Sequence, residues 1–209
     1  MKKVFGVLFV LCLSVATVQA QGLQDGSGES GSWWIQGGVG GGIITNQVDS
    51  SSPEKLSGIG FNYDGLLGRH FNRDFSLGVE FGYRTFGLTN VPSNEGLSLA
   101  YNPLELVVRY EAGGKGLRPY LSLGGGLAFV SISKDSQASP PAFTFYQETD
   151  FVLSPSLGAD FDLGNQASFF LQAGMDLVFL SDSFSGFASN LGSPVLTIPV
   201  EVGLHFSAN

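Results

Sequence analysis

Ten charged side chains stand in segments of this chain that otherwise alternate between apolar and small residues. Carboxylates close to arginines can act as an acid–base pair in catalysis, or they can line a passage that selects ions. The same residues can instead fill a narrow interior as a polar network, in which charges are paired because an isolated buried charge is costly. We favour this structural interpretation, a lumen network made of Asp64, Glu80, Arg84, Glu105, Arg109, Arg118, Asp160, Asp162, Asp176 and Glu201.

The elements that must position these residues are strands, and the stretch Gly58–Leu88 indicates this most clearly. Apolar side chains occupy the odd positions from 75 to 83, and Ser, Gly, Glu and Arg occupy the even positions from 76 to 84. Strict alternation with a period of two is typical of a strand with one apolar and one polar face. The polar segment His70–Asp74 predicts a turn, so the whole stretch is interpreted as a β-hairpin.

The same alternation recurs along the chain, where four longer polar connections alternate with three short turns. A closed ring of such strands satisfies every backbone group and leaves an interior about one side chain wide. We therefore predict an all-β fold, an eight-stranded antiparallel up-and-down transmembrane β-barrel, with both termini at the short-turn end. The predicted strands are residues 33–44, 59–67, 75–86, 97–111, 118–133, 143–163, 168–181 and 195–206.

The beginning of the chain predicts export. Lys2 and Lys3, the apolar run Val4–Val15 and the small-residue site Val18–Ala20 form the pattern of a signal peptide, residues 1–20. Residues 21–32 are rich in Gly, Ser and Gln and are interpreted as a flexible leader. The barrel is then assigned to residues 33–206 and a tail to residues 207–209. The one cysteine, Cys12, lies in the signal peptide, so the predicted mature chain has none.

Composition favours a membrane location. Charged residues make up 13% of the chain, about half the usual share, while there are 18 Phe and 30 Gly. The formal net charge of −8 becomes −10 once Lys2 and Lys3 are removed, which argues against nucleic acid as a partner. No apolar run after residue 20 is long enough for a spanning helix. We predict the bacterial outer membrane, with both termini in the periplasm.

A soluble lipocalin-like barrel is the competing fold, because alternation alone does not say which face points outward. The polar face is rich in glycine and poor in Lys and Glu, which suits a crowded lumen better than a water-facing surface. Aromatic residues near the strand ends, namely Trp33, Phe75, Tyr110, Phe169 and Phe206, fit the belts of membrane barrels. The membrane barrel is therefore the favoured interpretation.

Three segments carry a resemblance to a known family: Phe75–Gly87, Tyr101–Leu106 and Arg118–Gly126. They are similar to the repeating elements of small outer-membrane barrels, and most of all to the PorT-like outer-membrane β-barrel domain proteins of Bacteroidetes-type bacteria. The barrels of OmpX and OmpA are structural relatives. The resemblance covers Trp33 to Phe206 and implies the same barrel fold. Phe206 resembles the terminal aromatic residue of the assembly signal, although three residues follow it.

Specific chemistry has little support in the sequence. A hydrolase needs a nucleophile, a base and an orienting group, and Ser207 beside His205 is the one local pairing, at the wrong end of the barrel for a surface lipid. Gly38–Gly42 lacks the ending of a phosphate-binding loop, and a metal site would need clustered His or Cys. We predict no enzyme activity, no catalytic or metal-binding residues and no cofactor.

The outer loops are then the remaining working surface. A protruding hairpin around residues 134–146 would offer strand edges and aromatic anchors, and the fourth loop adds two more aromatic residues. The loop interaction candidates are Phe143, Phe145, Tyr146, Phe184 and Phe187. We expect surface interaction or adhesion through a host or cell-surface partner, or a purely structural role, besides contacts with outer-membrane lipid and the assembly machinery. A small porin or a secretion-associated barrel is the alternative, and a lipid-modifying enzyme or a lipocalin-like binder is disfavoured.

Overall fold

The computed structural model describes residues 31–46, 56–89, 97–112, 116–134, 143–164, 166–181 and 194–208. These residues form nine strands in one sheet. Within the described ranges, no helix is long and apolar enough to cross a membrane. The strands are β1 (Trp33–Asn46), β2 (Leu56–His70), β3 (Phe75–Thr89), β4 (Leu97–Glu111), β5 (Leu117–Lys134), β6 (Phe143–Gly164), β7 (Ala167–Gly174), β8 (Asp176–Phe179) and β9 (Val195–Ala208).

The strands close into a ring. From β1 to β7 each strand pairs antiparallel with the next one in the sequence, and β9 pairs with β1 to complete the circle. Both β7 and β8 lie between β6 and β9, so they share one of eight positions around the barrel. This arrangement confirms the predicted eight-stranded antiparallel up-and-down barrel.

The seventh position differs from its prediction as one strand over residues 168–181, because the strand is interrupted at Met175. The flanking registers place Pro155 of β6 opposite Met175 and Pro199 of β9 opposite Gly174. Proline has no backbone N–H and so cannot donate to the ladder. The Met175 amide still donates to the Pro155 carbonyl oxygen at 3.0 Å, but Pro155 cannot return the bond.

The tight turn between β2 and β3 has a clear cause in the sequence. The Asn72 side-chain oxygen accepts hydrogen bonds from the amides of Asp74 (2.9 Å) and Phe75 (2.8 Å). Asparagine side chains stabilise turns in this way by bonding to the backbone two or three residues on. The Phe71 amide also donates to the Phe75 carbonyl oxygen, so the turn is closed by backbone as well.

The apolar face of the strands points outward. Leu106 and Leu157 are 61% and 62% exposed, whereas Glu105, the chain neighbour of Leu106, is 1% exposed. This is the reverse of a lipocalin-like barrel, whose apolar face surrounds the interior, and it agrees with the favoured prediction. The polar face therefore lies inside the ring, as the shortage of Lys and Glu on that face predicts.

Aromatic pairs on the outer surface mark two levels of the barrel. At the short-turn end, the rings of Phe75 and Tyr110 are 4.9 Å apart, and Phe161 lies 6.2 Å from Phe169. Toward the loop end, Phe151 and Phe179 are 5.8 Å apart. Phe151 and Phe161 are ten residues apart in β6, which for tilted strands corresponds to a height of roughly 25 Å, as in the apolar band of membrane barrels.

Beyond the aromatic level nearer the loop end, which we call the upper aromatic level, the wall of β4, β5 and β6 changes polarity. Most of its outward side chains there are polar, and the hydroxyl oxygens of Ser98 and Ser133 lie 2.9 Å apart across two strands. Its inward side chains are mostly apolar and buried, and Asp150 of β6, which accepts a hydrogen bond from the Ser181 amide at 2.8 Å, is buried among them. This loop-end core, which the polar-lumen interpretation did not anticipate, contains Ile44, Phe86, Leu88, Leu99, Tyr101, Ala128, Val130, Ile132, Val152, Val178, Leu180 and Val195.

The predicted loop interaction candidates belong to this end. Phe143, Phe145 and Tyr146 are among the first residues of β6, the longest of the described strands, which pairs with β5 up to Lys134. The other two candidates, Phe184 and Phe187, fall outside the described residues. The extended β5–β6 hairpin agrees with the expectation that strands five and six continue beyond the other strands.

Candidate functional site

Most charged residues of the interior form two clusters, and Asp150 lies apart from both, farther toward the loop end. We name the first the Arg84 cluster, because the Arg84 guanidinium lies at its centre on β3. Its nitrogens are 2.8 Å from Asp176 Oδ2 and 3.2 Å from Glu80 Oε1, and farther from Glu201 (3.8 Å) and Glu105 (4.0 Å). Asp64 completes the cluster and lies within electrostatic reach of Arg84.

Strand geometry alone assembles this cluster. Glu80 and Arg84 are four residues apart in β3 and therefore share the inward face. The register of β3 with β4 then sets Glu80 directly opposite Glu105. Like charges in directly opposed positions destabilise a sheet, so these two carboxylates need compensation from their surroundings.

Neutral side chains hold most of the carboxylates of the Arg84 cluster. The Tyr101 hydroxyl donates to Asp176 Oδ2 at 2.6 Å, and Thr197 donates to the same oxygen at 3.2 Å. Ser154 donates to Glu105 Oε1 at 2.9 Å. Glu201 accepts from Asn62 on one oxygen and from Gln172, at 3.3 Å, on the other. The carboxylates are therefore fixed in position by donors from several strands.

The second cluster, the Arg109 cluster, lies nearer the short turns. The Arg109 guanidinium contacts Asp160 Oδ2 at 2.5 Å and Glu111 Oε1 at 3.1 Å. Arg118 lies 3.9 Å from the same two carboxylates, and His205 Nδ1 lies 3.1 Å from Asp160. Two arginines and one histidine thus surround two carboxylates, and each carboxylate has a cationic partner.

Aromatic rings enclose the Arg109 guanidinium. Its central carbon lies 3.5 Å from the ring centroid of Tyr120 and 5.3 Å from that of Trp34. A guanidinium stacks well on aromatic faces because it is planar and weakly hydrated. Gly158 makes room for Tyr120, because a Cβ at that position would lie 2.4 Å from the tyrosine ring. The interior is therefore filled by side chains at this level.

A small cavity remains beside the Arg84 cluster. The space open to the centre of a water molecule is about 10 Å³, which is close to what a single water needs. Glu80, Arg84 and Asp176 line it, together with Ser122, Ser154 and Ser156. Gly124 lines it as well, and a Cβ there would lie 2.2 Å from Glu105 Oε2. The interior at this level is polar and has room for a water-sized occupant.

The structure brings nine of the ten predicted network residues into these clusters. Asp162 is the exception, since it is exposed at the rim and accepts a hydrogen bond from the Gly164 amide at 2.8 Å. Its position in the alternation is inward, but β6 at residues 161–164 is exposed on both faces. The assignment of Asp162 to the network is therefore wrong, because strand parity does not indicate where the enclosed interior ends.

Several interior residues were missing from the prediction. Glu111 lies two residues after Arg109 in β4, and Tyr120 lies two residues after Arg118 in β5. Each pair therefore shares the inward face, and the alternation was sufficient to find Glu111 and Tyr120. His205 likewise shares the face of Glu201. Gln36, which accepts a hydrogen bond from Arg109 at 2.8 Å, lies in the glycine-rich first strand. Tyr101 and Trp34 were hard to assign because large aromatic residues are more common on the lipid face.

Ser207, His205 and Asp160 form a chain of contacts at the rim. Ser207 Oγ lies 3.4 Å from His205 Nε2, and His205 Nδ1 lies 3.1 Å from Asp160. Asp160 also bonds to Arg109, and the Ser207 amide donates to the Gln166 carbonyl oxygen at 2.9 Å. These partners tie the end of β9 to its neighbours. Among the described residues, no group of three His, Cys, Asp or Glu side chains is placed to hold a metal ion.

The geometry defines a class of protein. A closed antiparallel barrel with an apolar outer band, aromatic rings at the edges of that band and a polar interior is the construction of outer-membrane β-barrels. In agreement, the family model described as the outer membrane protein beta-barrel domain matches residues 5–206. The chain therefore belongs to this family, and it is an outer-membrane protein.

Solved structures with the same fold are distant in sequence. A major outer membrane protein from Thermus thermophilus aligns over 86% of this chain and 100% of its own, at 14% identity and a TM-score of 0.56. Neisserial surface protein A aligns over 83% and 96%, at 15% identity and a TM-score of 0.54. OprG from Pseudomonas aeruginosa aligns over 87% and 98%, at 13% identity and a TM-score of 0.50. No curated protein sequence matches the chain significantly.

Proposed function

We propose that this protein is an outer-membrane barrel with a plugged lumen, which acts through the loop end in surface interaction. The observation that carries the proposal is the change of polarity beyond the upper aromatic level, where an apolar core lies inside a polar wall. That is how a water-exposed barrel is built, so this part of the molecule projects beyond the lipid. The packed loop-end core supports the strands from which the outer loops extend.

Packing at three levels supports a lumen closed to solutes. The Arg109 cluster fills the short-turn end together with Tyr120 and Trp34, which is 2% exposed. The Arg84 cluster occupies the middle. The loop-end core follows, where Val130 and Ile132 are each 1% exposed. An eight-stranded barrel has room for little more than its own side chains.

Planar-bilayer recording tests the plugged lumen. The purified monomer is expected to give no stable single-channel steps at neutral pH. A matched control replaces Arg109 and Tyr120 of the short-turn end by alanine. This opens one level but leaves the other two filled, so the control should also give no steps. Reproducible steps from the wild-type monomer would instead make the protein a small porin, which is the second candidate.

Shortening the β5–β6 hairpin tests the surface role. Replacing residues 134–146 with a four-residue turn removes the aromatic candidates Phe143, Phe145 and Tyr146 but leaves the enclosed part of both strands. Binding of cells that carry the variant to host or partner surfaces is expected to fall strongly. The control variant replaces residues 47–55, which connect β1 and β2 at the same end of the barrel, with a four-residue turn.

Surface abundance must be measured in parallel, with a tag that reports exposure on intact cells. A tag at residue 50 should be accessible from outside, and a tag after residue 209 should be accessible only after the membrane is opened. That result would fit periplasmic termini. Unchanged binding by the shortened hairpin at wild-type abundance would leave a purely structural or a secretion-associated role.

A further inference from the structure

The Arg84 cluster holds more negative than positive groups. Five carboxylates, those of Asp64, Glu80, Glu105, Asp176 and Glu201, surround one guanidinium. If all were ionised, the cluster would carry a net charge of −4. Burying uncompensated charge is far more costly than burying a pair, because the surroundings solvate it poorly.

No other fixed cation among the described residues faces this cluster. Its charged and titratable neighbours are Asp64 from β2, Glu80 and Arg84 from β3, Tyr101 and Glu105 from β4, Tyr120 from β5, Asp176 from β8 and Glu201 from β9. The inward residues of β5, β6 and β7 at the cavity are Ser122, Gly124, Ser154, Ser156, Gln172 and Gly174, and those of β1 at this level are glycines. On β6, Asp150 lies farther toward the loop end. The compensating charge must therefore come from solution.

A second observation points to an occupant. Glu105 is 1% exposed, and its Oε2 atom has no hydrogen-bond partner. That oxygen occupies the space left by the missing side chain of Gly124, which lines the water-sized cavity. Glu80, Asp176 and three serines line the same cavity. A buried carboxylate oxygen without a donor, beside a small polar space, is the environment of a bound proton or a small ion.

We propose that the Arg84 cluster binds compensating monovalent cations, either protons or alkali ions, which the folded barrel holds and the unfolded chain releases. Among the described residues no three acidic side chains are placed together as metal ligands, which argues against a coordinated divalent ion and makes protons a simpler ligand than alkali ions. The Arg109 cluster needs no such ligand, because its two arginines already balance its two carboxylates. The proposal does not depend on the role of the loops.

Linkage sets the sign of the expected effect. A ligand held only by the folded state stabilises that state, and removing the ligand destabilises it. If the ligands are protons, the folded barrel binds more protons than the unfolded chain, so stability falls as the pH rises. The folding equilibrium constant should drop about tenfold per pH unit for each extra proton held. If they are alkali ions, the constant should rise with sodium at fixed pH and ionic strength.

The test is reversible urea unfolding of the full-length barrel in phospholipid vesicles between about pH 5 and 9.5, a range that begins just above the ordinary pKa of a carboxylate in an unfolded chain. One series contains sodium chloride and the other choline chloride at equal ionic strength. Glu105→Gln removes one carboxylate and keeps the size of the side chain. If the ligands are protons, the folding equilibrium constant of the variant should fall less steeply with pH than that of wild type, by up to a factor of about ten per pH unit. If they are alkali ions, the constant should respond less to sodium. Asp162→Asn, an exposed carboxylate outside the cluster, is the matched control and should behave as wild type.

The variant separates the two kinds of cation. A pH dependence that Glu105→Gln reduces identifies protons, and a sodium dependence that it reduces identifies alkali ions; both support the proposal. If Glu105→Gln does not refold, the same comparison is made with Glu201→Gln. Identical pH and sodium responses in the wild type, the Asp162→Asn control and the cluster variant would show that the cluster binds no cation, and would overturn the proposal.

Discussion

The Arg109 and Arg84 clusters lie in one barrel and are built from the same residue types, but their charge ratios differ. Around Arg109, each carboxylate has a cationic neighbour, and aromatic rings cover the guanidinium. Around Arg84, one guanidinium serves five carboxylates. An interior network can therefore be complete in geometry and incomplete in charge, because hydrogen bonds from Tyr101, Ser154 and Asn62 position carboxylates without neutralising them.

Replacing each arginine by methionine should give the largest contrast. Arg84→Met leaves a cluster of carboxylates with no guanidinium, and breaking buried pairs in this way typically costs about 3–5 kcal/mol. Arg109→Met should cost less, because Arg118 and His205 remain beside Asp160. Urea midpoints of both variants in the same vesicles measure the difference. An equal or larger loss for Arg109→Met would contradict the contrast between the clusters.

The next largest effect concerns the loop-end core. Val130 is 1% exposed and packs among apolar side chains, so Val130→Asn buries an amide without partners and should cost about 1–3 kcal/mol. Ser131 on the outer wall provides the control, since Ser131→Asn changes a partly exposed residue and should cost little. Urea unfolding of wild type and both variants in the same vesicles checks this. A tolerant Val130→Asn would indicate that this level is hydrated.

Alternation in the sequence was sufficient to predict the barrel, its strand order and the inward position of most charges. Strand β4 has the predicted bounds, and Glu105 and Arg109 lie on its inward face. The pattern works because a strand presents alternate residues to two different solvents. The pattern depends on what those solvents are, however. Leu99 and Ile132 are inward and apolar, which is the arrangement expected where water rather than lipid lies outside the wall.

Three features required the structure. Asp162 has inward parity but lies beyond the enclosed interior. The break at Met175 depends on Pro155 and Pro199, which lie opposite Met175 and Gly174. The strand register that places these prolines there is set between segments that are distant in the sequence. The charge excess of the Arg84 cluster depends on which inward residues share a level, and strand tilt decides that. In each case the missing information was the relative height of residues on neighbouring strands.

A smaller effect is expected where the wall beside the Arg84 cluster is interrupted. Pro155→Val restores the N–H that the Met175 carbonyl lacks, and valine suits an outward strand position. The gain should be about 0.5–1.5 kcal/mol, the usual net value of one hydrogen bond. Amide exchange around residues 174–176 should slow in parallel. Pro119→Val, near the end of β5 where water reaches the backbone, is the control and should gain less.

The smallest effect is predicted for Asp162→Asn, which tests where the Arg109 cluster ends. Asp160 and Asp162 are two residues apart in β6, but Asp160 is fully buried against Arg109, whereas Asp162 is exposed. The asparagine oxygen can still accept the hydrogen bond from the Gly164 amide, so the change in stability should stay within about 0.5 kcal/mol. The urea midpoint of the variant measures it against wild type. A loss above about 1 kcal/mol, which is beyond the range of ordinary surface substitutions, would mean that Asp162 interacts with Arg118 and that the cluster extends to the rim.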